Sequence, residues 1–235
     1  MVFHTLTRLA SILILSLAFA LPASAVSLLR DADMEYALSQ VAAPVLKAAG
    51  LSATRVKILV VNDSSLNAFI VSNDAIYIHS GLIGRMDRAA MLQAVIAHEA
   101  AHITNGHITR RISNLGAART AAGLGAALAV LAAASGASKA AAGLAIGTQS
   151  AAERTFLRHT RAEESSADQS GLRYMRSADV PVSGMRDVFR LFRGQESLSE
   201  VRQDPYVRSH PLSRDRLRAI EGYVAAYGET SSDTS

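Results

Sequence analysis

The sequence predicts an α+β fold, mostly helical, with a small antiparallel sheet and an Ala/Gly-rich helical hairpin. Three observations carry this expectation. Most of the chain places apolar residues at helical spacing, β-branched residues cluster in three short runs between 55 and 79, and 115–152 is dominated by Ala and Gly.

The chain has 235 residues, 49% of them apolar, enough for one well-formed core. The first 25 residues read as an export signal. Arg8 precedes an apolar run from Leu9 to Ala20, and Leu21-Pro22 leads into the small-residue triplet Ala23-Ser24-Ala25, a cleavage-site pattern that would leave Val26 first. The run is shorter than the roughly 20 residues of a membrane span; an uncleaved anchor is the alternative. One domain is expected over 26–235, located outside the cytoplasm, in a bacterial periplasm. There is no cysteine, so disulfides and thiolate metal ligands are excluded. The net charge is only +4, without a basic run or interleaved aromatics, which argues against a nucleic-acid partner.

From the N-terminal side, Asp31 to Ala49 has helical periodicity, contains Pro44 and ends at Gly50, a residue suited to a helix C-terminus. Residues 55–61, 67–71 and 75–79 read as strands, the last two joined by Ser72-Asn73-Asp74. Asp87 is expected to cap a helix starting near Arg88. The stretch 115–152 is expected to fold as a hairpin insertion on the domain, with peripheral membrane contact as the sharper alternative. Further helices are expected over about 152–176, 182–192 (ended by Gly194) and 212–227. The polar segment 228–235 is expected to be a disordered tail.

Within the helix after Asp87 lies His98-Glu99-Ala100-Ala101-His102. Residues four apart on a helix are about 40° apart around its axis and about 6 Å along it, so both imidazoles reach one ion. Glu99 points at the space where water would be activated, the general-base position of a zincin-type hydrolytic centre. A chance pair of histidines on one helix is the competing reading. A catalytic zinc takes three protein ligands. His107 is nine residues from His98, about 180° round a continuous helix; a break at Gly106 could bring it back, but Asn105 and Ile108 occupy the Gly and third-His positions of the longer motif, so it is expected at the surface or in support of a ligand. Glu164 and Asp168, four apart with Gly171 and Ala167 alongside, form a better stripe. Glu164 would ligate, and Asp168 would accept the outer N–H of a ligand histidine. Glu163 falls off this face. Taken alone, these acidic groups also fit a solvated face beside Arg158 and Arg161.

Together these motifs resemble the HtpX-like and CAAX-prenyl-protease-like gluzincin metallopeptidases. Asn67-Ala68-Phe69, Ser80-Gly81-Leu82-Ile83, the His98–His102 motif with His107, Glu164-Ser165-Ser166-Ala167-Asp168 with Gly171-Leu172, and Ser209-His210-Pro211 with Arg216 occur in that family's order. The resemblance implies a minimal, exported zinc endopeptidase with one Zn2+ per chain. Its ligands would be His98, His102 and Glu164, and Glu99 would be the general base. It further implies that the strand carrying Asn67 and Ala68 receives a polypeptide substrate by strand addition. His210 and Arg216 would steady the substrate carbonyl as charge develops on it. The expected substrates are exported, misfolded proteins. The rival expectation is a latent zinc-containing chaperone or assembly factor with little turnover.

Overall fold

The computed structural model describes residues 27–110, 113, 116, 120, 123–124, 161–199 and 202–228. The expected signal segment and the tail beyond 228 lie outside the described residues. Of the expected hairpin, only 116, 120, 123 and 124 are described, and they are helical. No helix of the described residues is long and apolar enough to cross a membrane.

Four strands, β1 (Leu28–Leu29), β2 (Lys57–Val61), β3 (Ala68–Ile70) and β4 (Ala75–His79), form one sheet in the order β1-β2-β4-β3. β1–β2 and β3–β4 are antiparallel, whereas β2–β4 is parallel, so the small antiparallel sheet expected from sequence is in fact mixed. The cause is burial. All of β4 except Tyr77 is buried, so it takes a central place with a neighbour on each side. The shorter, less buried β3 is left at the edge. Among the described residues, no strand pairs with its outer side.

The helices are α1 (Ala32–Ala48), α2 (Ser80–Ile83), α3 (Ala89–Thr104), α4 (161–177), α5 (Ser183–Leu191), α6 (Pro205–Ser209) and α7 (Arg214–Tyr227), and the described backbone is again helical at 107–110. α1 begins at Asp31, whose carboxylate accepts from the Met34 amide, and accommodates Pro44 in its interior. α3 is buried on all faces, with 13 of its 16 residues in the interior, which marks it as the helix around which the others assemble. It packs against α1, α5 and β3. The cap expected at Asp87 falls one residue later. Arg88 has the extended N-cap backbone, and its guanidinium pairs with Asp187 of α5 at 2.6 Å and with Ser183 at 3.1 Å. α3 is thus anchored at its start by a tie to α5 rather than by a capping carboxylate. α7 does carry a side-chain cap, Ser213 accepting from the Arg216 amide. The short helices α2 and α6 have too little periodicity to stand out in the sequence.

Gly171 sets the separation of α4 from α3. A Cβ added there would lie 3.3 Å from the Ala97 carbonyl carbon and from the His98 nitrogen, and 3.0 Å from Met185 Cε. Gly222, within α7, faces open space. Gly171→Ala is therefore expected to destabilise the fold by about 1–3 kcal/mol through overpacking. Gly222→Ala should stabilise it by about 0.5–1 kcal/mol through helix propensity and reduced chain entropy. Urea denaturation of the two variants checks the opposite signs.

Candidate metal centre and active site

α3 presents His98 and His102 on one face, and α4, held close at Gly171, presents Glu164 opposite them. The Nε2 atoms of His98 and His102 are 3.0 Å apart. Glu164 places Oε2 3.1 Å from His98 Nε2 and Oε1 3.3 Å from His102 Nε2. A tetrahedral ion with bonds of roughly 2.0–2.1 Å holds its ligands roughly 3.3 Å apart, so these three side chains fit a single metal. All three side chains are buried. Charge gives a second test of fit. Glu99, Glu164 and Asp168 are the buried carboxylates at the cluster (buried Glu163 is set toward Arg110), and Arg216 is the buried guanidinium among them. Counted formally that is −3 + 1 = −2, which one divalent cation balances.

The outer nitrogens are also held. His98 Nδ1 lies 3.1 Å from Asp168 Oδ1. Asp168 in turn accepts two bonds from Arg216, at 2.6 Å from Nε and 2.8 Å from Nη2. His102 Nδ1 lies 2.9 Å from His107 Nδ1. His107 is buried, not at the surface, because Gly106 at φ +68° ends the helical path and folds the chain back. Glu163 is also buried but is directed to Arg110, at 4.0 Å, and not to the histidines.

These surroundings set the protonation preferences of the bare cluster. Burial pushes His102 down to about 3, which leaves it neutral, as a ligand must be. Burial also works against charge on His98, but Asp168 and Glu164 outweigh it and raise the ring to about 9. A cation on Nε2 would supply the positive charge those carboxylates favour. Burial pushes Glu164 up, yet the His210, His102 and His98 rings hold it well below the ordinary carboxylate range.

His210 joins the same cluster. Its Nδ1 is 3.0 Å from Glu164 Oε2 and 3.2 Å from His98 Nε2, and its Nε2 approaches the Ala68 carbonyl at 3.3 Å. The Tyr206 ring backs it, with centroids 4.7 Å apart. The sequence reading had no signal for Tyr206 beyond an aromatic four residues before a histidine. Glu99 is fully buried, and neither carboxylate oxygen has a hydrogen-bond partner. His210 Nε2 lies 3.3 Å from Glu99 Oε1, but its hydrogen bond goes to Ala68. Glu99 lines a cavity of about 250 Å³ with Phe69, Ile70, Val71, His102 and His210. A buried carboxylate directed into a cleft beside a metal-donor triangle is a costly arrangement that a reacting group would relieve.

The structure brings together Glu99, His98, His102, Glu164, Asp168 and His210. Asn67 and Ala68 lie on the cleft side: Asn67 sits 3.5 Å from Ser209 Oγ, and Ala68 meets His210. Arg216 is placed differently from the expected carbonyl-binding role. It is 4% exposed, and its guanidinium is occupied by Asp168, the Pro211 carbonyl and Glu164. Burial pushes the Asp168 carboxyl up, but the Arg216 hydrogen bonds and charge hold it below the ordinary value. Its stabilising contribution is therefore complete near neutral pH and is lost as pH falls through that lowered value. Arg216→Gln strands a buried carboxylate and is expected to cost about 3–5 kcal/mol at neutral pH. The cost should narrow in mild acid, where the unpaired Asp168 takes up a proton; urea midpoints in both conditions test this.

The chain is similar to known proteins along most of its described length. The model for Peptidase family M48 matches residues 29–224. Relatives whose names include "beta-barrel assembly-enhancing protease" come from Vibrio cholerae (27% identical), Escherichia coli K12 (25%) and Yersinia pestis (25%). Each match covers 67% of this chain and 32% of the relative, so the chain spans about a third of the length of these proteins.

Proposed function

Because the chain belongs to Peptidase family M48, a family of metallopeptidases, we propose that it is a zinc endopeptidase of exported polypeptides, with His98, His102 and Glu164 as the metal ligands and Glu99 as the general base. The observation that carries this reading is the buried, hydrogen-bond-free Glu99 carboxylate at the cleft beside the three-donor triangle. Two imidazoles and one carboxylate suit zinc, which accepts nitrogen and oxygen ligands in tetrahedral sites. Bound there, the ion would supply Lewis acidity, polarising a carbonyl oxygen and making water acidic near neutral pH.

The chain's own groups do the rest. Glu99, beside the ligand His98, is placed to take a proton from water and deliver it to the leaving amine. Asp168 holds the His98 ring in orientation, and Arg216 holds Asp168. The outer side of β3 offers backbone groups to an extended peptide, and Phe69, Ile70 and Val71 line the cavity below it. Export is supported by the signal-like pattern at 1–25. The relatives' names tie them to the assembly of β-barrels, so unassembled β-barrel chains, and misfolded exported proteins generally, are the substrates we favour.

A second reading has its own observation. His210 Nδ1 stands with His98, His102 and Glu164 as a fourth possible donor, all within 4.8 Å of one another. A site with four protein ligands is closed, as in structural zinc sites. A latent, chaperone-like form with little turnover would use that arrangement.

Two measurements separate the readings. Glu99→Gln should retain one metal per chain and lose cleavage of casein by at least 100-fold; undiminished cleavage would reject Glu99 as the base. Glu164→Ala should lose metal, whereas Glu163→Ala should keep it, as read by metal analysis after gel filtration. A wild-type protein that binds zinc but leaves casein intact, while suppressing aggregation of an unfolded protein, would favour the latent form.

A further inference from the structure

The His102–His107 contact imposes a constraint that ligation alone does not. A neutral imidazole carries one N–H and one bare nitrogen. A His102 that binds metal through Nε2 therefore has its proton on Nδ1. That Nδ1 lies 2.9 Å from His107 Nδ1, with both rings 2% exposed and set edge-on at 73°. At this distance one nitrogen must donate and the other accept, because two donors or two bare nitrogens in contact would repel. If His102 donates, His107 must present a bare Nδ1 and carry its own proton on Nε2.

We propose that His107 is a positioning residue for the metal centre, accepting the Nδ1–H of His102 and thereby holding the His102 Nε2 lone pair on the ion. This rests on the assignment of His102 as a ligand. The backbone is built for the contact. Asn105 ends α3, Gly106 turns at φ +68°, and His107 returns to the face that a continuous helix would have carried it away from.

The two ligand histidines are then backed unequally. His98 donates to an anionic carboxylate, and His102 donates to a neutral ring. The carboxylate raises the basicity of its histidine more, so His98 is the stronger donor and His102 the weaker. His107 also forms part of the cavity wall beside Phe69 and Ile70, so one ring belongs to both the cleft and the metal support.

The test uses the whole protein, stripped of metal and titrated with Co(II). The wild type should bind one equivalent; if it binds none, the metal assignment fails, and that result is distinct from failure of the His107 role. His107→Phe keeps the ring volume but removes the acceptor, and should weaken Co(II) binding about 10–100-fold and shift the visible bands. His107→Gln keeps an acceptor oxygen and should stay within a few-fold of wild type. Equal losses in the two variants, or none in either, would overturn the proposal. A measurement on the unsubstituted protein does not depend on either variant folding: long-range proton–nitrogen NMR of the zinc-loaded wild type. It should show His107 protonated at Nε2 with a bare Nδ1; a proton on His107 Nδ1 would overturn the proposal.

Discussion

The Asp168 carboxylate ties three helices together, and the geometry of the site follows from it. From α4 it accepts both arms of the Arg216 fork on α7 and faces the Nδ1 of His98 on α3. A carboxylate this deeply buried is tolerated only when its lone pairs are matched, so rotating any of the three helices would expose an unpaired charge to the interior. Gly171 then sets the distance, because a Cβ there would already lie 3.3 Å from the α3 backbone. With distance and rotation both set, Glu164, one turn before Asp168, has to point where Asp168 points. The metal-donor triangle is thus a consequence of how α4 is docked.

This explains why some of the site was legible in the sequence and some was not. Local spacing is encoded locally. The four-residue intervals His98–His102 and Glu164–Asp168 state which side chains share a face, and Gly171 signals that a helix comes close. Arg216 was harder to place. Its residue type suits a developing oxyanion as well as a buried carboxylate, and only the tertiary fold chooses between them. A break at Gly106 was legible, but whether it returned His107 to the ligand histidines or left it at the surface is decided by the left-handed turn the backbone takes there. The parallel β2–β4 pairing was hidden for a similar reason. Three short strands joined by tight connections suggest a meander, but the order is decided by which strand is most buried.

Charge links folding to metal binding. Packing α3, α4 and α7 together buries the Glu99, Glu164 and Asp168 carboxylates with the Arg216 guanidinium. Without a cation, the cluster lowers that cost by protonating His98, which its two carboxylates raise to about 9. On the proposed reading a divalent ion would satisfy the same need and organise Glu164 and His102, so metal binding and tight docking of α4 would reinforce each other. The interaction that aligns the ligands is also the one that makes a cation favourable.

His210 brings the opposite wall of the cleft into this arrangement. It closes α6, a five-residue helix anchored to the β3 side through the Tyr206 amide and the Leu66 carbonyl at 3.0 Å. Its ring then spans two systems, with Nδ1 in the donor cluster and Nε2 at the Ala68 carbonyl. The Asn67 carbonyl is turned inward to the His79 amide, so alternation along a strand turns the Ala68 carbonyl outward, to the unpaired edge. On the proposed reading, that carbonyl is one an added peptide strand would use. The buried donor cluster and the open edge of β3 thus meet at one imidazole.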